Sequence, residues 1–299
     1  MKNFRKIALG VLLSAQVLTT FYSCSSDSSV REESESLSVK TYNKGSFFND
    51  FSDYWTIGRL HNEGLEYVYS EIVSKNNFTL MDFSNMLTEV KKGTYNFTKG
   101  IDFSKHISYS DYLSIYSMYD NVLYSQFVDI KKGDYDFNMV DSIKKEVSLT
   151  SKQEKYLLEL DTVISNYDLD SIQLLEELSK LKREIVTHCS KEEQFILLAS
   201  VSIAINSLEY WTVNLDKWMS IGNNRNTILS KGNRNDEEWR WFKSTIKSMG
   251  KSDVVGGIIG GASGALAGGV GAAPGAVGGA CYASAGRAIV ALTERWGLW

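Results

Sequence analysis

Proline is nearly missing from this chain: Pro274 is the only one in 299 residues. A sequence with no other proline contains almost nothing that breaks a helix. Cysteine and histidine number three each, and no two or more of them stand at zinc-ligand spacing. Sequence signatures of catalysis are missing too. No serine-hydrolase elbow and no zinc-helix motif occurs. Gly250-Lys251-Ser252 copies the end of a phosphate-binding loop, but Thr245 stands where that pattern needs its first glycine, and no strand precedes it. These absences leave no basis for naming a reaction or a cofactor. An enzyme assembled from distant residues stays as an alternative.

Positive charge is also in short supply. The chain opens with Lys2, Arg5 and Lys6, then a mostly apolar run from Ile7 to Leu18, then Thr20-Phe21-Tyr22-Ser23-Cys24. That order of charged, apolar and cleavage-site regions is the order of an export signal, and the run is too short for a comfortable membrane span. Removing 1–23 leaves 29 basic side chains against 36 acidic, a net charge of −7. So acidic a chain is not expected to bind nucleic acid. Ser23-Cys24 resembles a lipobox, in which the cysteine is acylated and becomes the new N-terminus; Phe21 and Tyr22 resemble the relaxed boxes of exported Bacteroidetes lipoproteins. The resemblance implies a chain held to lipid through acyl groups on Cys24, in the outer membrane and facing the cell surface. Residues 25–40, dominated by serine with Asp27, Glu32, Glu33 and Glu35, read as a flexible tether. The acidic residues close behind Cys24 resemble a surface-export signal.

Residues 41–250 are long enough for one sizeable core. Tyr54, Gly58, His61, Leu65, Val68 and Ile72 step by three and four, the spacing of one helix face, and stretches near 112–127 and 156–164 repeat it. Thr150 with Gln153, Asp170 with Gln173, Ser190 with Glu193 and Asn235 with Glu238 read as helix starts. Gly93 and Gly133, each behind a Lys-Lys pair, read as helix stops. The fold class expected is all-α, a bundle of about seven to eight helices at roughly 52–74, 80–92, 106–131, 137–147, 151–166, 171–189, 191–218 and 236–250. The 191–218 segment is apolar on nearly every face and should be the axis.

His61 should point inward as a hydrogen-bonded core residue. Asp102 with His106 and Glu184 with His188 are four apart and can share a helix face. Cys189 and Cys281 are read either as one disulfide or as two buried thiols. Asp141-Ser142-Ile143, Asp161-Thr162-Val163 and Asp170-Ser171-Ile172 resemble Bacteroidetes O-glycosylation acceptors.

The 251–299 segment is the unusual part. From Val254 to Gly286 there are 33 residues without a charge, 12 of them glycine and nine alanine. Gly256, Gly260, Gly264 and Gly268 recur every four residues, as do Gly271, Gly275 and Gly279. Glycine costs about 1 kcal/mol against alanine in a helix, so helices this rich in it must recover the loss by close packing. With Pro274 near its middle, the run reads as a Gly/Ala-rich helical hairpin, with Ala262 and Ala276 facing away from the contact. It resembles a glycine zipper and the membrane-active part of class II bacteriocins. Trp296 and Trp299 behind Arg295 fit an interfacial anchor or a cap on the bundle. Three readings follow: contact with a membrane, a partner or a second copy through 254–286; a structural or binding lipoprotein with the hairpin packed inside; or an enzyme.

Overall fold

In the computed structural model, residues 54–75, 81–101, 108–131, 137–168, 170–222, 235–266 and 271–296 are described, with backbone alone at 124–131, 171, 266 and 296. The signal segment 1–23, Cys24 with the tether, Asp102, His106, Gly133, Gly268 and Trp299 lie outside the described residues. The architecture is all-helical, with no strand among the described residues. Nine α-helices appear among them rather than seven to eight: α1 (Tyr54–Val73), α2 (Phe83–Gly100), α3 (Tyr109–Lys131), α4 (Met139–Glu146), α5 (Ser151–Asn166), α6 (Ser171–His188), α7 (Lys191–Met219), α8 (Asp236–Leu266) and α9 (Ala272–Trp296), with a 3-10 turn at Ser220–Gly222.

Local chemistry sets the starts. Thr150 and Gln153 exchange hydrogen bonds across the first turn of α5, and Ser190 and Glu193 do the same for α7. Asn235 and Glu238 repeat the exchange for α8. Asp170 accepts from the amides of Ile172 and Gln173. Asp82 and Asn138 cap α2 and α4 without a Glu or Gln three residues on. Each pairing satisfies amides that a helix start leaves without partners.

Two expected helix ends are corrected. Gly93 does not stop α2; it lies buried inside it against Val68 of α1, where a β-carbon would stand an ordinary 3.4 Å from Val68 Cγ2. Nor does a helix end at Gly250. There α8 passes Leu208 of α7, a β-carbon would come within 2.9 Å of Leu208 Cδ2, and the helix runs on to Leu266. In both cases tertiary contact outweighs the propensity of glycine to end a helix.

The axis is also reassigned. α7 is well buried, but every residue from Gly271 to Thr293 is buried, so α9 is the most enclosed helix. It touches α8, α1, α2, α3 and α7. α7 joins α1 to α8, α4 and α5 close the other side of α8, and α6 covers α5 and α7 at the periphery. Composition alone favours α7 because its residues are larger, whereas enclosure depends on how many neighbours come close, and small residues admit more of them.

Candidate functional site

Two features lie at the centre: the contact between α8 and α9, and a set of polar side chains beside it. A β-carbon built at Gly256 would collide with the Gly279 carbonyl, one at Gly260 with that of Gly275, and one at Gly264 with that of Gly271; the reverse holds from α9. The pairs step by four up one helix and down the other, so the helices run antiparallel with backbones in direct contact. Other glycines make room for side chains of the body. Gly278 lies under the ring of Tyr112, Gly286 against Leu123 and Gly257 against Ile203. Tyr112 Oη also donates to the Pro274 carbonyl at 3.0 Å, and Tyr119 Oη to that of Ser252 at 3.3 Å, so α3 holds both helices. Gly268 and the connection 267–270 lie outside the described residues. Ala276, expected to face away from the contact, lies against Gly261 of α8. Ala262 and Ala276 are both buried, and a β-carbon on Gly261 would stand 3.3 Å from that of Ala276. They are enclosed because helices pack around all sides of the pair.

One turn before the first glycine pair, Asp253 is fully buried. Its Oδ2 accepts from Ser207 Oγ at 2.5 Å and from Ser284 Oγ at 2.8 Å. Trp211 Nε1 in turn donates to Ser284 Oγ at 2.9 Å. His61 Nε2 stands 3.1 Å from the same carboxylate oxygen, out of line for a direct hydrogen bond. Asn62 Nδ2 donates to the Asn206 carbonyl, which leaves its Oδ1 to accept from His61 Nδ1 at 2.9 Å. Cys281 Sγ donates to the His61 carbonyl. Thus α1, α7, α8 and α9 meet at one carboxylate. His61 occupies the core as its place in the apolar stripe implies. A serine nucleophile must touch its base, yet both serines here touch the carboxylate and all four side chains are sealed from solvent. The arrangement ties helices together and has no access for a substrate.

A second tie runs along α8. Lys243 reaches Asp168 at 2.7 Å, Lys247 the Ser165 carbonyl at 2.7 Å and Lys251 Asp161 at 3.0 Å, three successive turns fastened to α5 and the residues just after it. Gly250-Lys251-Ser252 therefore sits in mid-helix and inside the core, where no phosphate can reach it. On α9, Arg287 Nε donates to Ser248 Oγ at 2.8 Å. Lys251 keeps an ion-pair partner and Arg287 a hydrogen-bonded one, as burial of a charge requires.

The remaining candidates separate. His188 Nδ1 lies 3.0 Å from the Glu184 carbonyl rather than its carboxylate, on an exposed turn. Cys189 and Cys281 are free and buried, and burial pushes both thiols up. Ser142 is buried and bonded to the Asn138 carbonyl, so the first glycosylation acceptor is covered, whereas Thr162 is exposed. Among the described residues no cluster of three or more His, Cys, Asp or Glu could hold a metal. A cavity of about 740 Å³ opens where α8 begins and α9 ends, lined by residues including Glu237, Glu238, Arg240, Trp241 and Arg295. Arg295 there pairs with Glu238 and lies over the Trp241 ring.

α7 and α9 are long and apolar enough to cross a membrane, but the apolar window of α9 is wholly buried in the fold and that of α7 is 72% buried. No family model, no curated protein and no solved structure matches the chain. Sequence reasoning singled out the glycines and His61, and missed Asp253, Ser207, Ser284 and Trp211. One signal pointed to Asp253: it is the last charge before the 33-residue charge-free run. A carboxylate at that rim needs partners if the helix continues inward.

Proposed function

We propose that the chain is a cell-surface lipoprotein, anchored by acyl groups on Cys24, whose Gly/Ala-rich C-terminal segment is an internal hairpin that organises a structural or binding body. The observation that carries this reading is the enclosure of α9 from Gly271 to Thr293, with its glycines against the backbone of α8 and the side chains of Tyr112 and Leu123. Length supports it as well. The charge-free part of α8 after Asp253 is about 20 Å long and that of α9 before Arg287 about 22 Å, at 1.5 Å per residue. Both fall short of a ~30 Å hydrocarbon core. Small side chains gain little on entering lipid, so burial in protein is the stronger use of them.

A second reading is membrane action, in which the hairpin leaves the body and inserts in the manner of a bacteriocin. It is favoured by the hydropathy of α9 and by the lack of charge between Val254 and Gly286. Dye release from anionic vesicles separates the two. On the first reading neither the wild type nor Gly264→Leu releases dye, while Gly264→Leu melts at lower temperature. Release by the wild type, abolished in the variant, selects the second. The anchor is tested apart from both: Cys24→Ser should leave the membrane fraction, and retention of that variant after a salt wash would place the anchor elsewhere.

A further inference from the structure

The surface of α6 carries a second apolar stripe besides the one that packs inward. Leu174, Leu178, Leu181 and Ile185 are buried against the body, while Ile172, Leu175, Ser179, Lys182 and Val186 step by three and four along the side next to them. Of these, Ile172 is 72% exposed, Leu175 39% and Val186 48%. Trp55 at the start of α1 extends the stripe: it is 44% exposed, and Lys182 Nζ stands 4.7 Å from the centroid of its ring. Four of the ten large apolar side chains exposed among the described residues therefore share one patch, and a patch, unlike a single exposed residue, calls for an occupant. Its charge is distinctive as well. Lys75, Lys92, Lys144, Lys217 and Lys243 each end on a carboxylate. Lys180 and Arg183, exposed at the border of the stripe, have no ion-pair partner among the described residues. At about 100° per residue Glu176 is the one acid between them, and Glu177 and Glu184 fall farther round the helix.

We propose that this side of α6, with Trp55, rests on the anionic lipid surface to which the chain is anchored. Ile172, Leu175, Val186 and Trp55 enter the boundary between headgroups and acyl chains, and Lys180, Lys182 and Arg183 meet lipid phosphates. An interfacial helix binds in this way, with apolar area and cationic side chains acting together. The indole of Trp55 beside the Lys182 ammonium suits the headgroup level, where one end of a side chain is apolar and the other wet. The inference rests on the reading of Cys24 as the acylated residue, and the place where the chain enters the fold favours lipid over another protein. α1 begins at Tyr54, next to Trp55 and 30 positions after Cys24. A chain of that length spans at most ~100 Å, so the anchor keeps the patch within reach of the bilayer and a weak contact suffices. α6 stays folded in this contact because its other stripe remains in the core, and the glycine hairpin takes no part in it.

The test is vesicle co-sedimentation of residues 24–299 with Cys24→Ser, a chain that keeps every described helix and has no acyl group. It should bind vesicles that contain phosphatidylglycerol, leave those of phosphatidylcholine alone, come off in molar salt and release no entrapped dye. Arg183→Glu changes the charge by two units and should weaken binding roughly 30-fold. Ile172→Glu should weaken it at least as much. Leu113→Glu brings an acid to a 40% exposed apolar site on α3 and should bind as the parent does. All three sites are exposed, so the fold persists. Unchanged binding by Arg183→Glu or Ile172→Glu, an equal loss in Leu113→Glu, or no binding of the parent to anionic vesicles overturns the inference. So does a parent dimer that Ile172→Glu dissociates and that binds no vesicle, which assigns the face to a second copy. A failed anchor shows instead in cell fractionation, where Cys24→Ser stays with the membrane after a salt wash, so the two failures are distinguishable.

Discussion

Two alanine substitutions at buried helical glycines should act with opposite sign. At Gly260 a β-carbon would collide with the Gly275 carbonyl oxygen and stand 2.9 Å from its carbon and 3.0 Å from Gly279 Cα. All three are backbone atoms, so no rotamer change relieves the clash, and the two helices must separate. Overpacking costs ~1–3 kcal/mol, and a site where only backbone can give belongs at the upper end. The helix propensity gained on replacing glycine offsets about 1 kcal/mol. The expected net is a loss of about 2 kcal/mol, or about 4–8 °C of melting temperature at ~2–4 °C per kcal/mol for a large domain. At Gly93 the nearest atom is Val68 Cγ2 at 3.4 Å, an ordinary contact. There the propensity gain stands almost alone, and Gly93→Ala should be more stable by about 0.5–1 kcal/mol. Urea unfolding followed by circular dichroism measures both. If Gly260→Ala proves as stable as the wild type, the direct backbone contact between α8 and α9 is refuted.

Asp253→Ala strands the buried Ser207, Ser284 and His61 groups and should cost ~3–5 kcal/mol by the same urea assay. Asp168 is held below its ordinary value of 3.8 by its hydrogen bond to Lys243. A lowered carboxylate contributes stability that is present above its unfolded value and lost as pH falls through its folded value, so Asp168→Asn should flatten the decline in stability below pH ~4. Glu89, lowered by Lys75 and Lys92, should behave in the same way. Cys189 and Cys281 are buried with raised thiols, so in Cys24→Ser a thiol reagent should label neither quickly until urea is added, and rapid labelling of the native variant would contradict their enclosure.

Helix class and most helix starts were legible in the sequence because their causes are local. Side chains at Thr150, Ser190 and Asn235 reach amides within their own first turn, and the stripe from Gly58 to Ile72 needs only the period of a helix. Endings were less legible. Gly93 carries the signature of a stop and the expected 236–250 helix ends at Gly250, yet both lie inside a longer helix, because packing against Val68 and Leu208 supplies contacts that propensity does not contain. The four-residue glycine spacing, and the lack of charge around it, marked a surface for close approach without saying what approaches. A membrane, a second copy and the chain's own body all satisfy a row of small residues. Only the tertiary structure decided that Gly256, Gly260 and Gly264 meet Gly279, Gly275 and Gly271, and that Tyr112 and Leu123 fill the other sides. It also decided the partners of Asp253, since α1, α7 and α9 bring His61, Ser207 and Ser284 to it from as far as 192 positions away in the chain. Contacts of that span leave no periodicity to read, because they are fixed by how helices pack and not by what any one helix needs to form.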